Sequence, residues 1–258
     1  MNLITSLKTP RFSLIVPAHN EAALLPALLD SVETARRQYR GVEGLGGRDA
    51  IEVIVADNAS TDMTAVIARE GGCRVVLVEK RAIAAARNGG ASIARGEIVC
   101  FIDADSRIHP TTFNAIEQTL ASGRVIVGAT GVKPDRWSLG LFATWLCAAP
   151  VALLMGFDAG VVFCRRADFE AVGGYDESLT YAEDIQFLVD LKRLGRRDGR
   201  KQRFARARGA QAVTSTRKFD KHGDWHYFFR MPRVAFWMLI DKSRVEKFTK
   251  AYWYDDRS

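Results

Sequence analysis

The sequence predicts an α/β protein built on a mostly parallel sheet with helices on both faces, and three observations predict it. Apolar runs rich in Val and Ile recur at residues 12–16, 52–56, 74–78 and 97–102. Patterns with helical spacing separate them, and strands that are continuously apolar need cover on both faces, which is what crossover helices provide. Chemically capable polar residues cluster directly after the strands, behind Val16, Ala56 and Ile102. That edge is where open α/β sheets bind ligands.

The elements follow in order. Residues 12–16 read as a buried strand stopped by Pro17, and Leu24, Leu25, Leu28 and Val32 form the apolar stripe of a helix behind it. Residues 41–47 are glycine-rich but precede a strand and lack a Lys-Ser/Thr ending, so they make a connection and not a phosphate loop. Residues 52–56 are the second strand, 62–69 a helix, 74–78 the third strand, 83–94 a helix of small residues and 97–102 the fourth strand. Regular alternation ends near residues 126–134, where a soft boundary is expected.

At 258 residues with 48% hydrophobic content the chain can bury a substantial core as one large domain or as a domain with an appended subdomain. Disordered and fibrous classes are excluded. Cys73, Cys100, Cys147 and Cys164 are far apart, and no early stretch has the character of a secretory signal, so a reducing cytoplasm without disulfides is expected. Residues 1–191 carry 18 Lys and Arg against 23 Asp and Glu, whereas residues 192–258 carry 19 against 7. The basic final quarter therefore suits anionic lipid, nucleic acid or ligand phosphates.

Three loops carry the chemistry. Cys100-Phe101-Ile102-Asp103-Ala104-Asp105 sets two carboxylates one residue apart after a strand, and an extended backbone presents both on one side. Magnesium-like ions take one or two protein carboxylates and complete their shell with water and phosphate oxygens, which suits such a pair; solvated loop acids are the plainer reading of the triplet alone. Val16-Pro17-Ala18-His19-Asn20-Glu21 and Asp57-Asn58-Ala59-Ser60-Thr61-Asp62 follow the first two strands. Asp57 can accept hydrogen bonds from a base N–H or from ribose hydroxyls, while Ser60 and Asp62 can simply cap the next helix.

In order and spacing these loops, with Ala84-Ala85-Ala86-Arg87-Asn88 and the segment from Gly160 to Asp184, resemble the family two glycosyltransferases with the GT-A fold. The resemblance covers most of residues 10–195. It implies that Pro17, Ala18, Asn20, Glu21 and Asp57 hold the base and ribose of a nucleotide-sugar, usually a uridine nucleotide, and that Ala84 and Arg87 lie against the same nucleotide. Asp103 approaches the ribose or metal-bound water, Asp105 with Asp103 ligates Mn2+ or Mg2+, and Ala104 and Gly160 belong to the nucleotide-sugar-binding set. Thr180-Tyr181-Ala182-Glu183-Asp184 matches the family's Glu-Asp pair at a helix start, which makes Asp184 the general base of an inverting transfer and Glu183 an orienting or acceptor-contacting group. A carboxylate in a first helical turn is also favoured by the macrodipole alone. Gly173 and Gly174 give the tight turn that carries this loop. The resemblance divides the chain into a nucleotide-sugar half at 1–125, an acceptor half of the same domain at 126–215 and a basic, aromatic helical extension at 216–258.

The chain departs from the processive members in lacking a Gln-x-x-Arg-Trp segment, so transfer of a single sugar to a glycan, lipid-linked or small hydroxylated acceptor is expected. Residues 139–157 are uncharged but are interrupted by Gly140, Thr144, Pro150 and Gly156, which favours a buried or interfacial helix pair over a membrane span. Trp137, Phe142, Trp145 and Leu146 are expected to face a lipid-like acceptor or a membrane surface. Arg217 is expected to fold back onto the donor diphosphate, and the basic tail to contact the inner face of the cell membrane peripherally. The competing reading is a protein of this fold without catalysis that binds nucleic acid or anionic membrane through its tail; four retained acids at 57, 103, 105 and 184 argue against it.

Overall fold

The first two strands, β1 (Phe12–Ala18) and β2 (Ile51–Asp57), are buried at every position, as their mostly apolar sequence requires, and the polar pair within them, Ser13 and Glu52, is hydrogen-bonded at 2.6 Å. They pair in parallel in a computed structural model that describes residues 9–41, 47–155, 159–179, 182–198, 203–225 and 228–229. Helix α1 (Leu25–Gln38) lies between them in sequence and buries Leu25, Leu28, Val32 and Ala35, one stripe at helical spacing. Its last turn carries Arg36 and Arg37, where cations complement the helix dipole. After α2 (Thr64–Glu70) and β3 (Arg74–Leu77) comes α3 (Ile83–Ser92), made of Ala and Gly on its inner side. A β-carbon on Gly90 would stand 2.5 Å from Ile15 Cγ2, so glycine lets α3 press onto β1.

The chain continues through β4 (Ile98–Phe101), β5 (Ser106–Arg107), α4 (Thr112–Ala121), β6 (Val125–Ala129), β7 (Val132–Pro134), α5 (Leu139–Met155), β8 (Val162–Arg165), α6 (Arg166–Val172), α7 (Glu183–Arg197), β9 (Arg203–Arg206), β10 (Ala212–Thr214) and α8 (Arg217–His222). Seven strands form one sheet in the order β3-β2-β1-β4-β8-β6-β9, and β5-β10-β7 form a small second sheet. Within the large sheet β8 alone runs against its neighbours. One core lies under α1 and α4 around Phe12, Phe113 and Phe163; the other, around Phe101, Tyr175 and Phe187, lies under α3, α6 and α7. The sheet is therefore covered on both faces, as its apolar strands demanded.

Two local expectations differ. Pro17 does not stop the first strand, which pairs on to Ala18 opposite Asp57. On its other side β4 pairs only as far as Ile15, so no ladder bond is asked of the missing proline N–H. Residues 139–157 were expected to form a helix pair, but one helix runs from Leu139 to Met155 with Pro150 inside it. Trp137, Phe142, Trp145 and Leu146 are at least half exposed, with the three rings in mutual contact. Among the described residues no helix is long and apolar enough to cross a membrane. The expected extension at 216–258 is described only as α8, the turn after it and residues 228–229; His226, Tyr227 and residues 230–258 lie outside the described residues.

Candidate active site

Three strands of the large sheet, β2, β1 and β4, end side by side, and the loops leaving them are tied together by side chains. The Asn20 amide donates to Ser60 Oγ at 3.0 Å and Asn20 Oδ1 accepts from the Thr61 amide at 2.8 Å. Asp57, buried at the end of β2, accepts from the Ser60 amide at 3.1 Å. Asn58 donates to the carbonyls of Val78 and Lys80, fixing the strand that leads to α3. Pro17 and Ala18 are buried in β1, and Ala84 is buried with Ile15 and Ile54, so α3 meets the cleft through Arg87 and not through Ala84.

Backbone strain is concentrated here. Asn20, Ala59 and Ala182 are the non-glycine residues with left-handed backbone among those described, at φ 52°, 56° and 58°. Each sits in a loop that carries candidate site residues. Such conformations cost of order 1 kcal/mol for a residue with a β-carbon and persist only where neighbours impose them.

The Asp103-Ala104-Asp105 triplet is not extended. The Ser106 amide donates to the Asp103 carbonyl at 3.1 Å, which closes a turn between β4 and β5. Ala104 packs into the core, whereas the Asp103 side chain is 44% exposed and that of Asp105 only 14%, and the two lie beside different guanidinium groups. Arg87 Nη2 lies 3.4 Å from Asp103 Oδ1, and Arg217 Nη2 lies 3.6 Å from Asp105 Oδ2. Arg217 begins α8 and also makes a two-pronged bond to Glu21, at 2.8 and 2.6 Å; the Glu21 side chain is 1% exposed. The β10 segment that delivers Arg217 is held by the Ser215 amide donating to the Asp105 carbonyl at 3.2 Å.

Across the cleft, Glu183 and Asp184 open α7. Arg87 Nη1 donates to Glu183 Oε1 at 3.0 Å, and its guanidinium sits 5.1 Å from the centre of the Tyr175 ring. Burial alone would lower the Arg87 pKa, but Tyr175, Asp103, Glu183 and Asp184 together raise it, so this buried arginine stays charged. Burial raises the Glu183 pKa, Arg87 opposes that rise and neighbouring Asp184 adds to it. Asp184 Oδ1 accepts the Ile185 amide at 2.8 Å. Arg87, Asp103, Gly160 and Asp184 border one cleft with a cavity volume of about 90 Å³. Gly160 has φ +89° and packs on the Gly131 carbonyl, where a β-carbon would come within 2.3 Å.

A divalent cation fits this donor set in one way. Among the described residues no three His, Cys, Asp or Glu side chains are grouped to hold a metal by themselves. Asp103 and Asp105 could supply the one or two hard oxygens that Mg2+ or Mn2+ takes when phosphates and water complete its shell. The residues present therefore suit an ion that arrives with a diphosphate.

Two residues without an assigned role in the sequence reading belong to this site. Asn88 donates to the Tyr175 carbonyl at 2.8 Å and to Glu177 Oε1 at 3.0 Å, and accepts from the Tyr175 amide at 2.9 Å. Tyr175 stacks on Phe187 of α7, with ring centres 4.2 Å apart. Their signal was adjacency: Asn88 follows Arg87, and Tyr175 follows the glycine turn.

Residues 13–145, just over half of the chain, match the family described as Glycosyl transferase family 2. The undecaprenyl-phosphate 4-deoxy-4-formamido-L-arabinose transferase of Pseudomonas paraeruginosa is 32% identical over 124 residues, which are 45% of this chain; the chain spans about a third (34%) of that relative's length. Among solved structures, a mannosyltransferase from Pyrobaculum calidifontis in complex with GDP-Man and Mn2+ has TM-score 0.63 and 24% identity over 87% of this chain and 61% of its own. TarS of S. aureus in complex with UDP has TM-score 0.59 and 21% identity over 83% of this chain and 63% of its own. These likenesses establish the fold.

Proposed function

Because this chain belongs to glycosyl transferase family 2, we propose that it moves a single sugar from a uridine nucleotide-sugar to a hydroxyl acceptor, with inversion at the anomeric carbon and Asp184 as general base. The observation that carries this reading is the meeting of Asp103, Asp184 and Arg87 around one cleft at the carboxyl ends of the strands, from segments far apart in sequence. Asp57 and the Pro17–Ala18 strand end receive the base and ribose. Arg217 donates to the diphosphate, to which a guanidinium binds through paired hydrogen bonds. Asp105, with Asp103, holds the divalent cation, which when bound offsets the charge of the departing diphosphate. Asp184 takes the proton of the acceptor hydroxyl as that oxygen bonds to the anomeric carbon, and the electron pair of the breaking bond leaves with the nucleoside diphosphate.

The test is thermal unfolding with UDP, GDP and ADP, each with and without Mn2+. UDP with Mn2+ at 100 times its Kd should raise the Tm by roughly 5 °C, since binding to the folded state alone stabilises it by about 2.7 kcal/mol. Asp105→Ala should lose the metal-dependent part. A full metal-dependent shift in that variant would remove Asp105 as ligand, and a shift with GDP alone would change the donor.

The acceptor reading is a lipid-linked hydroxyl at an anionic membrane surface, in a cytoplasmic enzyme. It is supported by the exposed rings of Trp137, Phe142 and Trp145, and by Arg136, which binds Asp220 and Asp224 and so brings Trp225 to the same side. Aromatic side chains of this kind settle at the headgroup level of a bilayer. Co-sedimentation with phosphatidylglycerol vesicles should fall several-fold in a Trp137→Ala, Trp145→Ala double variant; unchanged binding would discard this surface.

A further inference from the structure

We infer that Arg87 is a positioning residue: it fixes the distance between the donor side of the cleft, through Asp103, and the helix that carries the base, through Glu183. The inference rests on the transferase reading above and deepens it. In place of a nucleotide contact, the Arg87 side chain is spent inside the protein, with one nitrogen on Glu183 at 3.0 Å, another 3.4 Å from Asp103, and its flat face over Tyr175. Its remaining nitrogen, Nε, is buried without a hydrogen-bond partner. A buried cation with two carboxylate partners on separate elements holds those elements at one spacing, because moving either leaves charge uncompensated in a poorly solvated place.

The neighbouring residue completes the grip. Arg87 and Asn88 are consecutive on α3, yet Asn88 holds Tyr175 and Glu177 while Arg87 holds Glu183. The segment leading from the glycine turn to the base is therefore fastened at both ends to a single turn of one helix. Tyr175 extends the grip by stacking on Phe187, one turn beyond Asp184. The strain falls where such a grip is needed: Ala182, directly before Glu183, is held in a left-handed conformation that alanine adopts only under constraint. We assign that constraint to the Arg87–Glu183 bond.

Arg87→Lys, Arg87→Met and Glu183→Gln separate positioning from contact. Their UDP affinity with Mn2+ present should stay within about three-fold of wild type, whereas turnover falls at least about a hundred-fold, the scale on which slight misplacement of reacting groups acts. Turnover is read as UDP release from UDP-GlcNAc and UDP-glucose with water as acceptor, resolved into kcat and KM. The loss should sit in kcat, Arg87→Lys should recover part of what Arg87→Met loses, and the Arg87→Met, Glu183→Gln double variant should be no worse than Arg87→Met, because both remove one coupling. Hydrogen exchange at amides 183–188 should quicken in all three while exchange in β2 does not. Should the Arg87 variants fail to fold, Glu183→Gln decides alone by the same readings. Parallel losses of UDP affinity and kcat, additive losses in the double variant, or unchanged exchange at 183–188 would each overturn the inference. A wild-type protein that binds no UDP would sink the donor reading instead, a result distinguishable because the exchange measurement needs no nucleotide.

Discussion

Asp184→Asn is expected to lower turnover by roughly 10²–10⁴-fold, the usual contribution of a positioned general base, while UDP affinity stays within about two-fold. The substitution preserves size and one acceptor oxygen, so the bond from the Ile185 amide can persist. It removes only the capacity to take up a proton. Asn in the first turn of α7 also forfeits the favourable meeting of a carboxylate with the helix dipole, a loss of about 0.3–1 kcal/mol that folding can absorb. A loss confined to kcat identifies a group that acts in the transition state; an equal loss of UDP affinity would place Asp184 in donor binding, and a change under about ten-fold would leave the base elsewhere. Glu183 cannot take over, because it is bonded to Arg87 and buried, whereas Asp184 borders the open cleft.

Much of this arrangement is legible in the amino-acid sequence, and the reason is periodicity. Strands such as residues 12–16 and 52–56 are apolar at all but one position each, Ser13 and Glu52, because both faces are covered, and that pattern survives any detail of packing. Chemistry gathered at strand ends was legible for the same reason, since the loops at 17–21, 57–62 and 103–105 each follow an apolar run. What escaped depends on partners distant in sequence. Arg217 and Glu21 were each expected to face the nucleotide, and nothing in their separate segments announced that they form a two-pronged bond with each other, the glutamate side chain buried. Ala59 and Ala182 adopt left-handed backbone without the glycine or asparagine that would have announced it. Asp103 and Asp105 were expected on an extended backbone, but they lie in a turn set by the Ser106 amide, a bond that no side-chain pattern encodes, and each meets a different arginine. Pro150 read as an interruption because a proline costs a helix one bond, a penalty that α5 absorbs without ending.

Arg217→Ala is expected to move two affinities in opposite directions. The guanidinium stands 3.6 Å from Asp105 Oδ2, so its charge opposes a metal ion held by the same carboxylate. Like unit charges roughly 4 Å apart repel by about 1–4 kcal/mol at effective dielectric constants of about 80 to 20, and the partial exposure of Arg217, with the metal standing beyond the carboxylate oxygen, favours the lower end, so Mn2+ alone should bind roughly five-fold more tightly to the variant. Binding of UDP with Mn2+ should weaken by roughly 10- to 100-fold, the worth of a charge-assisted bond to phosphate. Arg217→Lys should fall between, since an ammonium keeps the charge and loses the fork. Electron paramagnetic resonance of free Mn2+ gives the first affinity and calorimetry the second. Because Arg217→Ala also takes a two-pronged partner from buried Glu21, the same measurements on Arg217→Ala with Glu21→Gln separate lost folding from lost binding. Weakening of both affinities in that folded double variant would make Arg217 a structural strut for Glu21, while unchanged UDP affinity would take the diphosphate away from α8 altogether.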